Sequence, residues 1–208
     1  MNNYEIAVER ARPLFLQHDQ EAMIRKFHLE ADAAYLYISF VGRRYRINRG
    51  DGVIEWSEDN FSTAFPASFN EAMTIYDILC YSKDHCRLSG RFVTLGALKY
   101  NTAFGSGDSF FRGSAKAFDG RIPELECACR ALGGKKEAVG DTAWLLPLFD
   151  FLPVVLQFWN SDDEFPASLK LLWDENILDY MHFETTFYAA SHLLERIRSG
   201  MDTPHYSR

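Results

Sequence analysis

Residues 152–174, LPVVLQFWNSDDEFPASLKLLWD, decide the fold. Val154 to Trp159 and Leu169 to Asp174 are short runs rich in Val, Leu, Phe and Trp, separated by the polar stretch Ser161-Asp162-Asp163-Glu164-Phe165-Pro166, and this predicts a long-looped hairpin. Three adjacent carboxylates suggest calcium, but the stretch lacks the alternating oxygen ligands, central Gly and distal Glu of an EF-hand, and a solvated loop is expected. Just upstream, Trp144 to Phe149 is another apolar run, cut off by a turn at Asp150 to Pro153. Both Trp144–Phe149 and Val154–Trp159 are almost continuous in apolar content, as central strands covered on two faces are.

Downstream of the hairpin, a helix beginning near Phe183 carries an apolar stripe of Phe183, Phe187, Ala190, Leu194 and Ile197. At the other end of the chain, Asn3 to Gln17 reads as a helix, and Asp19 starts a second with Met23, Ile24, Phe27 and Ala31 on one face; the two are expected to pack together. The period then changes to two, with Tyr35, Tyr37 and Ser39 alternating against Leu36, Ile38 and Phe40. Turns at Gly42 and at Gly50-Asp51-Gly52 return the chain through Tyr45 and Ile47 and out through Val53, Ile54 and Trp56, an antiparallel meander.

Ser68 and Glu71 make a capping box for a helix ending near Ser82, with Ile75, Ile78 and Leu79 on its buried side. Arg87 to Gly107 is interrupted by Gly90, Gly96, Gly105 and Gly107, so short irregular pieces are expected, with Gly105 to Ser109 a loop entering a helix. Pro123 opens a helix to about Leu132 that Gly133-Gly134 terminates, and Lys135, Lys136 and Glu137 are an exposed connection. The expected fold is therefore a single α+β domain over residues 1–200, with an N-terminal antiparallel meander and a C-terminal hairpin packed with several helices. Residues 201–208 are expected to be a flexible tail.

Composition bounds the function. A net charge of −7 argues against nucleic-acid binding, which needs a basic face to neutralise phosphates. The arginines at 43, 44, 46 and 49 are the one basic concentration, and a solvated face accounts for them. No run approaches the roughly 18 consecutive apolar residues of a membrane span, and the charged N-terminus lacks a signal-peptide core, so a cytoplasmic location is expected. The cysteines at 80, 86, 127 and 129 are spaced C-x5-C and C-x-C, which suits reduced, buried thiols rather than a disulfide framework or a metal site. The aromatic share of 15%, including 17 Phe, 10 Tyr and 4 Trp, fits a deep core or an aromatic-lined pocket.

Chemistry is concentrated where the hairpin runs into the last helix. Asp174, Glu175, Asp179, Tyr180, His182 and Glu184 fall within eleven positions of an otherwise apolar region, and an imidazole beside carboxylates is suited to ligation or to acid–base work. The ligand-binding candidates are Trp159, Asp174, Tyr180, His182 and Glu184. No zinc motif accompanies His182, and no G-x-S-x-G elbow is present.

The stretch from Leu146 to Ile197 resembles the C-terminal half of the bacterial and archaeal domain-of-unknown-function 3786 family. The resemblance is carried by the strand ending in Trp159, the Asp163-Glu164-Phe165-Pro166 turn, the strand closing at Asp174, and Tyr180, His182 and Glu184 before the last helix. Weaker echoes lie at Gly42-Arg43-Arg44-Tyr45, at Leu88 to Val93 and at Gly140-Asp141. Some relatives look to be joined to an iron–sulfur module like that of corrinoid proteins in anaerobic one-carbon metabolism. The resemblance thus implies an iron–sulfur or corrinoid protein partner, which would supply any cluster because this chain has no cysteine-rich module.

The leading expectation is a non-catalytic protein that binds a small ligand or cofactor, such as a tetrapyrrole, in a pocket near Trp159, Trp173, Tyr180 and His182. The residues themselves name no cofactor. An enzyme using His182 with Glu184 or Asp174 as acid and base is the first alternative. A protein-interaction module, which would need a large exposed apolar patch, is the second.

Overall fold

The computed structural model describes residues 3–98 and 108–203. In chain order the elements are α1 (Asn3–Gln17), α2 (Gln20–Phe27), β1 (Glu30–Ala31), β2 (Tyr35–Phe40), β3 (Arg43–Asn48), β4 (Ile54–Ser57), β5 (Phe65–Pro66) and α3 (Phe69–Tyr81). There follow β6 (Phe92–Val93), α4 (Asp108–Phe118), α5 (Ile122–Ala131), β7 (Lys135–Glu137), β8 (Thr142–Phe149), β9 (Leu152–Trp159), β10 (Ser168–Asp174), α6 (Ile177–Tyr180) and α7 (Phe183–Asp202). The class is α+β, and the strand pairs with defined register are antiparallel, as expected.

The chain contacts form two compact units that alternate along the sequence. The first runs to Arg87 and takes in residues 149–151 and 176–192; the second comprises 88–148, 152–175 and the chain from Leu193 onward.

In the first unit the expected meander is present, with Tyr35 opposite Asn48 in β2–β3 and Tyr45 opposite Trp56 in β3–β4. Its first turn uses Val41 at φ 47 and Gly42 at φ 70. Two left-handed residues in succession suit the twist of a tight hairpin, although a β-branched residue rarely adopts the first of them. Leu36, Ile38 and Phe40 are buried, as their alternation requires, and so are Ile75, Ile78 and Leu79 of α3. The capping box closes α3 at its start. Two expectations need correction. The principal neighbour of α1 is α3 rather than α2. Ala31 does not continue α2, because His28 turns left-handed (φ 53) and ends the helix, placing Ala31 in a strand paired with Leu36.

In the second unit β9 lies between β8 and β10, and the hairpin register sets Trp159 opposite Ser168 and Trp173 opposite Val154. Helix α4 packs on β10. Leu146, Leu148, Val154, Leu156, Phe158 and Trp173 are fully buried. Lys135 to Glu137 is exposed but is a strand paired with β8, since Gly134 lies too close to Trp144 and Leu146 for any side chain and so lets the chain run alongside. Among its described residues, 87–98, the irregular 87–107 region holds the short β6 and a single turn at Leu95–Ala97; residues 99–107, with Gly105 and Gly107, lie outside the described residues. Helix α7 continues past Gly200 through Met201, which is buried, and Asp202, so the first two residues of the expected tail are helical.

Candidate functional site

The first unit contains a cleft of about 360 Å3. Its position follows from the His28 turn, which folds β1 back onto β2 so that Glu30 sits opposite Tyr37. The β2–β3 register sets Arg44 opposite Ser39. Glu30 and Arg44 are thereby brought together, with Nη2 of Arg44 donating to Oε2 of Glu30 at 2.6 Å. Phe27, Leu29, Ile38 and Phe151 supply the apolar wall. Behind that wall the rings form a run of near-parallel stacks: Phe27 on Phe151 at 4.3 Å, Phe151 on Phe149 at 5.4 Å, and Phe149 on Phe40 at 4.6 Å. Such offset aromatic pairs add rigidity beyond the area they bury. His28, Ser39 and Asp150 also line the cleft, and their side chains have no hydrogen-bond partner among the described residues.

Helix α3 carries two carboxylates, and each meets a histidine from the 176–192 segment. Asp77 accepts the backbone N–H of His182 at 2.8 Å on one oxygen and faces its ring Nδ1 at 2.5 Å with the other. The Asp77 side chain is only 10% exposed while the imidazole is 65% exposed, with the Tyr81 ring edge-on at 5.2 Å. A buried carboxylate that holds Nδ1 and leaves Nε2 toward solvent fixes both ring orientation and tautomer, the arrangement that acid–base histidines use.

The second pair is closed to solvent. Glu71 Oε1 accepts from Tyr45 Oη at 2.5 Å and from Arg43 Nη1 at 3.0 Å, while Oε2 accepts the Ser68 N–H at 2.6 Å. His192 places Nδ1 3.6 Å from Oε1 and Nε2 3.3 Å from the Tyr45 oxygen. Burial alone would raise the Glu71 carboxyl; the Tyr45 hydroxyl, His192 and the Ser68 N–H more than reverse this and hold it below the usual glutamate range. Burial and the neighbouring Glu71 push the Tyr45 hydroxyl far above its ordinary value, so the proton stays on oxygen and the charge on Glu71. Arg43 also stacks over Trp56 at 3.7 Å.

The residues singled out in the sequence fall into different surroundings. Tyr180 is buried in the first unit and stacks on Phe151, the ring that walls the cleft, at 6.5 Å. His182 is an exposed residue of the same unit, and its carboxylate partner is Asp77 rather than Glu184 or Asp174. Glu184 is exposed in the first turn of α7. Asp174 belongs to the second unit and is fully buried, with its oxygens accepting the N–H groups of Ser89 and Gly90 at 3.0 and 2.8 Å. It anchors a loop. Trp159, in the same unit, packs against Gly140 and lies beneath Lys170 at 5.3 Å.

Sequence reading missed Asp77, the second role of Glu71 and the whole 27–30 side of the cleft. For the carboxylates a signal was present: Glu71 and Asp77 are the only charged residues in the otherwise apolar FNEAMTIYDILCY helix. Acids on a face that must be buried need partners. Burial, with lesser contributions from Asp77 and Glu126, pushes the Cys80 and Cys129 thiols up to about 12, so these two are not rival nucleophiles. No group of three or more metal-ligating side chains occurs among the described residues, and no helix among them is long and apolar enough to cross a membrane.

A family model described as "Domain of unknown function (DUF3786)" matches residues 19–196, a span that contains both carboxylate–histidine pairs and the cleft. No curated protein and no solved structure matches the chain.

Proposed function

Because the chain belongs to the DUF3786 family, described only as of unknown function, we propose a function from the site itself: a small-ligand-binding protein whose site is the aromatic cleft beside Phe27 and Phe151. The observation that carries this reading is the coincidence of an apolar, ring-braced wall with the unbonded side chains of His28, Ser39 and Asp150. Ligand sites combine a mostly apolar lining with a few converging polar groups, and a volume near 360 Å3 is toward the lower end of their range. About one to three fused rings fit such a space, and a whole corrin or porphyrin would be gripped by an edge.

The partner belonging to this reading is an iron–sulfur or corrinoid protein of anaerobic metabolism, supported by the family resemblance. A cytoplasmic setting is part of the proposal, supported by four free thiols. The test is equilibrium binding, by calorimetry and thermal shift, of flavins, haem, corrinoids and small heteroaromatics. Binding that weakens about tenfold or more in Phe151→Ala supports the cleft. Absence of any binding, or binding indifferent to Phe151→Ala, sinks it.

A second reading has its own support in the Asp77–His182 geometry, namely acid–base catalysis by an exposed, carboxylate-oriented imidazole. Any turnover found in a substrate screen should be lost in His182→Gln with the fold retained. Turnover that survives His182→Gln removes this reading.

A further inference from the structure

We propose that the cleft selects a small planar cation, a ring bearing an amidinium, a protonated ring nitrogen or a charged amino group, over planar anions and neutral molecules of the same shape. This rests on the ligand-binding reading of the same cleft and adds the charge class of its ligand.

The argument is one of charge complementarity. Three charged side chains line the space: the carboxylates of Glu30 and Asp150 and the guanidinium of Arg44. Glu30 and Arg44 neutralise each other at 2.6 Å. Arg44 is further held by Asn60 Oδ1 at 3.2 Å and by stacking over Tyr37 at 4.8 Å, so it does not swing freely toward a new anion. The charge left facing the cleft is therefore Asp150's carboxylate, which has no partner among the described residues.

Asp150 stands in the turn between β8 and β9, next in sequence to Phe151, so a ring lying against the apolar wall has this carboxylate at its rim. A cationic substituent there gains the attraction without displacing any existing pair. A carboxylate or phosphate would have to break the Glu30–Arg44 pair and would add a third negative charge beside Asp150. The unbonded Ser39 hydroxyl can accept an N–H from the same ligand, as can the His28 ring in its neutral form.

Three probes of one shape separate the possibilities: benzamidine, benzamide and benzoate, followed by ligand-observed NMR titration of the full chain at low salt. Benzamidinium is expected to bind most tightly, to weaken as salt is added, and to lose about threefold to tenfold in affinity in Asp150→Asn, with benzamide changed less than about twofold. Asp150 is exposed in a turn, so this variant folds. Benzoate binding as tightly as benzamidinium, or Asp150→Asn without effect, overturns the charge selection; the cleft reading then stands if Phe151→Ala still weakens every probe. Failure of all three probes to bind overturns the charge selection, and the cleft reading falls with it when the flavins, haem, corrinoids and heteroaromatics also fail to bind.

Discussion

Two carboxylate–histidine pairs link α3 to the 176–192 segment, and they differ in what surrounds them. At Glu71–His192 both side chains are 3% exposed, and the carboxylate is shared by Tyr45, Arg43 and the Ser68 N–H. At Asp77–His182 the carboxylate is nearly as hidden, but the imidazole is 65% exposed. Residue types are alike; the separations, 3.6 Å against 2.5 Å, and the solvent access are not. A buried charge must be answered on every side or it opposes folding, so the first pair is committed to structure. The second holds its histidine from one side only and leaves the other ring nitrogen available.

The largest expected effect breaks the closed pair. Glu71→Ala strips the carboxylate from Arg43, Tyr45 and His192 and leaves the Ser68 N–H at the start of α3 without its acceptor, and should cost about 3–5 kcal/mol in urea unfolding. A loss near that of a surface substitution would remove the distinction between the pairs.

The pH dependence comes next. The folded Glu71 carboxyl sits below its ordinary value of 4.5, so the unfolded chain takes up the proton more readily. Its contribution is whole above that value and is lost as pH falls through the folded pKa. Urea midpoints should therefore drop as the pH is lowered below 4.5, and Glu71→Gln should lack that component of the slope.

A smaller loss, about 1–2 kcal/mol, is expected for Asp77→Asn in the same urea assay, because the amide oxygen still accepts the His182 N–H while the ring loses its charged partner. The smallest is His182→Ala, at about 0–1 kcal/mol, since an exposed imidazole contributes little to the fold. In the intact protein diethyl pyrocarbonate should modify His182 and spare His192, read by peptide mass spectrometry; equal reactivity would mean that the closed pair opens.

How much of this was legible in the chain depended on range. The hairpin of β9 and β10, the meander, the start of α2 at Asp19 and the Ser68–Glu71 box are written in alternation, turn residues and spacings of two to four positions, and they stand in the structure within a residue or two. Tyr180 and His182 were recognisable as polar-capable residues at a chain junction. What they would meet was not. Asp77 lies 105 positions from His182, and Tyr45 lies 147 from His192. Asp174, which looked like a functional acid, anchors the Ser89–Gly90 loop.

By itself, then, the sequence determined the α+β class, the antiparallel strand pairs, the helix starts and the unusual supply of aromatic side chains, because each depends on backbone preference and short-range burial pattern. Tertiary structure decided which rings stack into the wall of the cleft, which carboxylate each histidine meets, and which of two similar pairs faces water. Solvent access and electrostatic partnership are properties of side chains brought together from distant positions, and local periodicity carries no record of them.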